Sequence, residues 1–139
     1  MRRLGLIVLV LVGLGRGPAF ADDQRLVGAW KAMTYTIGGA DYPMDGVFIF
    51  TARYYAATIR FQMTKGPADD ANGNSGPYTA DGQTLVFTQW VQLHLRPGDK
   101  KEPIVSHKGP DERATYTIDG PRLIIVFPSK NRYVLERLE

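Results

Sequence analysis

From Leu26 onward, short β-rich runs alternate with Gly, Pro and Asp punctuation, and no stretch beyond about ten residues repeats with a helical period. This pattern excludes most architectures at once. Parallel strands need crossover segments of a dozen or more residues, and the chain offers no helix to make one. Sequential antiparallel hairpins are the remaining connection. Asp81-Gly82 and Asp119-Gly120 are dipeptides suited to such tight turns. Expected strands cover residues 26–37, 46–51, 54–63, 78–80, 84–95, 112–118, 122–127 and 132–138, with a short one near Ile104-Val105. Tyr42-Pro43-Met44-Asp45 reads as a connection. Residues 64–77 and 96–110 read as the two large polar loops. An open sheet of this size would expose two edges and one greasy face. Closure removes both, so the expected fold is all-β: a single antiparallel up-and-down β-barrel of about eight strands. Its interior has room for side chains and one small ligand.

The first 21 residues read as a secretory signal peptide. Arg2 and Arg3 precede an apolar run from Leu4 to Leu14, and Gly17-Pro18 breaks it. Ala19-Phe20-Ala21 then supplies a small-x-small cleavage pattern, with the cut after Ala21. The run is too short to span a bilayer, so no stable membrane span is expected after cleavage. The domain expected to remain is 22–139, in the periplasm or secreted. The leader carries three of the 17 basic residues (Arg2, Arg3, Arg16) and none of the 14 acids, which leaves 14 of each in the mature chain. The basic balance therefore belongs to the leader and gives no reason to expect nucleic acid. There is no Cys, so an exported chain must be held by its core and by sheet closure.

Several ordered features resemble the bacterial lipocalin-like domain family, small exported or cytosolic proteins related to lipocalins. They begin with Leu26-Val27-Gly28-Ala29-Trp30-Lys31 and the Tyr54-Tyr55 pair. Gly76-Pro77-Tyr78-Thr79-Ala80-Asp81-Gly82 and a long following strand come next. Pro103, Gly109, Arg113, Tyr116, Asp119-Gly120-Pro121-Arg122-Leu123 and Phe127-Pro128 follow, and Leu135-Glu136-Arg137 closes the set. The family often places a His pair in the long strand, where this chain has only His94. It often ends in a Trp where this chain has Leu135. The resemblance implies a lipocalin-like barrel whose Trp30 plugs the closed end under the guanidinium of Arg137. Both residues then have a structural role.

The ligand-facing candidates lie on alternating strands. Tyr54, Thr58, Arg60 and Gln62 share one face of the third strand; Tyr55, Ala57, Ile59, Phe61 and Met63 share the other. Trp90, Gln92 and His94 share a face of the long strand, and Arg113 alternates with Tyr116 further on. An interior Arg among Tyr and Trp would suit an amphipathic ligand with an anionic head. Tyr54, Arg60, Trp90, His94, Arg113 and Tyr116 are thus the candidate ligand contacts. The alternative is that the polar faces are simply the outside of the barrel. With two His and no Cys, no metal site and no other cofactor is expected. Asp70-x-Asn72-x-Asn74 is a faint match to a calcium loop, without its Gly, its closing Glu or its flanking helices. Ser106, His107 and Asp111 crowd one polar loop without a nucleophile-elbow pattern. The expected function is binding of a hydrophobic or amphipathic small molecule. The alternatives are an inhibitor or interaction module with a filled barrel that acts through its loops, and an isomerase, cyclase or hydrolase, for which the residues offer least. The oligomeric state is left open.

Overall fold

The computed structural model describes residues 23–62, 70–95, 104–107 and 111–138, with 104–107 as backbone alone. The expected leader lies outside the described residues. After a 3-10 turn (Gln24–Leu26), the chain forms β1 (Gly28–Ile37), β2 (Ala40–Phe50), β3 (Tyr54–Phe61) and β4 (Asp70–Ala80). It continues as β5 (Thr84–Phe87), β6 (Val91–Leu95), β7 (Ile104–His107), β8 (Glu112–Asp119), β9 (Arg122–Val126) and β10 (Arg132–Arg137). β4 pairs with β5 through Tyr78–Ala80 and with β6 through 71–75, so β5 and β6 are two halves of one stave. β8 and β7 continue that arrangement, β8 on β5 and β7 on β6. β10 returns to β1, and the result is a closed antiparallel up-and-down barrel of eight staves. Among the described residues no helix is long and apolar enough to cross a membrane.

The barrel rests on alternation where the two faces differ. In β3, Tyr55, Ala57, Ile59 and Phe61 are buried, and Tyr54, Ala56, Thr58 and Arg60 are exposed. In β8, Ala114 and Tyr116 are buried between the exposed Arg113, Thr115 and Thr117. The core gathers toward the end where the chain enters and leaves. Leu26, Trp30, Leu85, Leu123, Ile125 and Leu135 are completely buried there, packed with Phe50, Tyr78 and Phe87.

Two expected connections are strand instead. β2 is continuous through residues 42–45. Pro43 is tolerated because it lies beyond the last β2–β3 pair, Met44 with Phe61, where β2 has β1 as its neighbour. β4 likewise runs through most of the expected loop at 64–77. Its residues from Asp70 to Ser75 have weak strand propensity, but β3 and β6 supply a ladder on each side. The calcium-loop spacing therefore lies on extended backbone, which cannot curl around an ion.

A one-residue bulge interrupts the β5–β6 stave. Two residues of β4, Gly76 and Pro77, oppose three, Thr88, Gln89 and Trp90. Thr88 N–H still donates to Pro77 O at 2.9 Å, and Trp90 N–H to Ser75 O at 2.9 Å. The kink drives the Thr88 carbonyl against Gly76: a Cβ there would lie 1.8 Å from that oxygen.

Candidate functional site: a polar cavity at the open end of the barrel

The two ends of the barrel differ in chemistry. At the closed end, Trp30 Nε1–H donates to Leu26 O at 2.8 Å, and the Arg137 guanidinium carbon lies 4.1 Å from the centre of the indole ring. Arg137 Nη1 donates to Val27 O at 3.1 Å and Nη2 to Arg25 O. Gly28 sits beneath this cation at φ +137°, and a Cβ there would approach Nη1 to 2.9 Å. A glycine two residues before the Trp thus leaves room for the Arg. The cation caps the carbonyls of the entering turn and covers the plug.

Asp23 completes the closed end. It is 6% exposed, accepts from Arg25 N–H at 3.0 Å and Nη2 at 2.7 Å, and accepts from the Tyr116 hydroxyl at 2.7 Å. The Arg25 guanidinium holds its carboxyl well below the usual carboxylate range, against the opposing effect of burial. Burial and the Asp23 carboxylate push the Tyr116 phenol up. Because the Asp23 pKa is lower folded than unfolded, its stabilisation is complete above the unfolded value of about 4 and is lost progressively as pH falls from there toward the folded value. Asp23→Asn should lower stability at pH 7 by about 1–2 kcal/mol, since Arg25 is largely solvated. Urea midpoints measured from pH 7 down to 2.5 should show the mutant and wild-type curves converging in acid. A gap independent of pH would remove the charge from the account.

At the other end the interior changes from apolar to polar. A cavity of about 310 Å³ opens there, walled on one side by Tyr35, Ile37, Phe61 and Tyr133. The rest of its lining is Asp70, Asn72 and Asn74 from β4, Gln89, Gln92 and His94 from the bulged stave, and Glu112 from β8. Tyr35 lies 4.7 Å from Tyr133 and 5.2 Å from Phe61, ring centre to ring centre. Tyr133 also reaches Phe48, at 5.6 Å, which joins the cavity wall to the packed core. Burial pushes the Tyr133 and Tyr35 phenols up, so both stay neutral donors at physiological pH. Glu112 shares the inward parity of Ala114 and Tyr116 and is exposed where it lines the cavity. Barrel atoms around its carboxyl raise its pKa, partly offset by the Gln89 amide, which donates at 3.1 Å. Asn74 Oδ1 and His94 Nε2 are buried without a hydrogen-bond partner.

The candidates from sequence distribute over three places. His94 lines the cavity. Tyr116 is buried at the closed end, with its hydroxyl on Asp23. Tyr54, Arg60, Trp90 and Arg113 are on the outer wall, so a ligand inside the barrel does not meet them. Arg60 pairs there with Asp45 at 2.9 Å. Trp90 lies outside because the bulge places Gln89 and Gln92 inward and leaves Trp90 and Val91 together on the outside, 51% and 41% exposed. Its indole packs against Tyr54 at 5.4 Å. These two rings border an outer groove of about 290 Å³ that includes Arg53, Pro77 and Asp111. Expecting an interior Arg is therefore corrected: the described residues that line the cavity include two carboxylates and no Lys or Arg.

Asp70, Asn72, Asn74, Gln89 and Glu112 were missed as cavity residues. The spacing of Asp70, Asn72 and Asn74 at every second position was the available signal, hidden by a composition that reads as loop. Among the described residues no group of three or more His, Cys, Asp or Glu side chains could hold a metal ion. The side chains of Ser106 and His107 lie outside the described residues. No protein-family model, curated protein or solved structure gives a significant match to the chain.

Proposed function

We propose that this chain is a small-molecule binding protein, lipocalin-like in its mode of action, which takes an amphipathic ligand non-covalently into the open end of its barrel. The single observation that carries this reading is the change of lining along one barrel. Its closed half is packed with side chains 0–5% exposed, and its open half is a cavity of about 310 Å³ with converging polar groups. A solid interior would need no buried Asn and His atoms without partners. A cavity of this size falls in the range of small-ligand sites. Apolar ligand surface would pack against Tyr35, Ile37, Phe61 and Tyr133, at about 25 cal/mol per Å² before association losses. The polar wall would fix the head group. The leader-like segment at 1–21 supports export, with binding carried out in the periplasm or outside the cell.

Native mass spectrometry of the purified protein, followed by solvent extraction, tests this reading. A co-purifying small molecule, or saturable uptake of the neutral probe N-phenyl-1-naphthylamine, is the expected result. Protein that is uniformly empty and takes up no probe at millimolar concentration would refute cavity binding.

A second reading follows from the outer wall. Tyr54 and Trp90 form an exposed aromatic pair beside Pro77, a composition suited to contact with another protein. It would make the barrel an interaction module, and the pair would be protected from solvent in the complex.

A further inference from the structure

We infer that the open-end cavity selects a small organic cation, with its ammonium head held at Glu112 and its apolar body against Tyr35, Phe61 and Tyr133. This inference rests on the cavity-binding reading above and adds the charge of the ligand.

Three observations converge on it. The first is the sign of the lining. Glu112 and Asp70 are the charged side chains among the described residues of the cavity wall, and the nearby arginines, Arg60 and Arg113, are on the other side of the sheet. An anionic head would enter a site of its own sign. The second is the demand for donors. Asn74 Oδ1 is a buried acceptor without a partner, and His94 Nε2 is an acceptor when its proton rests on Nδ1. An ammonium group offers N–H donors to such acceptors, whereas a carboxylate head offers none. The third is the aromatic part of the wall. Three aromatic rings are gathered there, with Tyr35 within 4.7 Å of Tyr133 and 5.2 Å of Phe61. Ring faces attract a cation as well as an apolar body, and the attraction grows as water is excluded. Glu112 fits this arrangement, because its surroundings disfavour its charge until a positive partner enters.

Three probes with one phenyl body separate the charge from the cavity: 2-phenylethylamine as its ammonium ion, 2-phenylethanol and 3-phenylpropanoate. Calorimetric titration of the purified protein should rank the amine at least about tenfold above the carboxylate. Glu112→Gln should reduce amine affinity about tenfold and leave the alcohol unchanged. Asp111→Asn, on the outer groove, should change neither. Equal or tighter binding of the carboxylate overturns the inferred charge and leaves the cavity reading standing. No binding of any of the three at millimolar concentration overturns both. Amine binding that survives Glu112→Gln but falls with Asp111→Asn moves the site to the outer groove and overturns the inference. Circular dichroism of Glu112→Gln confirms a folded barrel; if it unfolds, Glu112→Asp with a shifted amine-to-alcohol ratio supplies the same comparison, and an unshifted ratio overturns the inference.

Discussion

Trp30→Ala should lower the unfolding free energy by about 3–5 kcal/mol. Domains of this size hold about 5–15 kcal/mol in total, so this one change would remove a large share of it. The side chain is fully buried, and its loss opens a hole at the point where both ends of the chain meet. It also strips Leu26 O of its indole donor and Arg137 of the ring beneath its guanidinium. Urea unfolding followed by far-ultraviolet circular dichroism measures the loss. Trp30→Phe keeps an aromatic ring but no N–H, and should fall between, about 1–3 kcal/mol below wild type. A loss for Trp30→Ala within about 0.5 kcal/mol, typical of surface changes, would mean the barrel is held elsewhere.

Gly76→Ala should destabilise by about 3 kcal/mol or more, although it adds one methyl group. The position tolerates no Cβ, because the Thr88 carbonyl would be 1.8 Å away and Trp90 N 3.0 Å away. Both obstacles are backbone, fixed by the hydrogen bonds of the bulge, and cannot rotate aside. Gly73 lies on the same strand and is the internal control. A Cβ there meets Leu93 Cβ at 3.8 Å, an ordinary contact, so Gly73→Ala should change stability by less than about 1 kcal/mol. Equal urea midpoints for the two variants would show that the bulge is not a fixed element.

The contrast between these glycines bears on what could be read in the sequence. β3 and β8 were legible because their two faces differ: Tyr55, Ala57, Ile59 and Phe61 against Thr58 and Arg60, and Ala114 and Tyr116 against Arg113 and Thr115. The closure of β10 on β1 was legible from the Gly28-Ala29-Trp30 motif and Arg137 at opposite ends of the chain. β4 was only partly legible. Asp70 to Ser75 carries no apolar alternation, and its extended conformation is imposed by hydrogen bonds from strands distant in sequence. The cavity was hardest to read, because side-chain parity had to be carried through a bulge. Counting in twos from Gln92 and His94 puts Trp90 inside; the extra residue between Gln89 and Gln92 puts it outside. Glu112 was hidden differently: an acid on a strand reads as outer surface, and here it lines the cavity.

The bulge also holds the chemistry of the lumen in a way that substitution alone would not reveal. Its extra residue is what turns Gln92 and His94 toward the lumen, beside Asn74 and Asn72, and Val91 and Leu95 toward solvent. Loss of one codon among Thr88, Gln89 and Trp90 would set two residues against two and leave β6 on the same faces. Straightening the bulge at constant length would instead slide β6 by one residue and exchange its two faces. The lumen would then be lined by Val91, Leu93 and Leu95 on that wall in place of an amide and an imidazole. One stave thus encodes two interiors, one polar and one apolar, separated by a one-residue slip and without a new side chain.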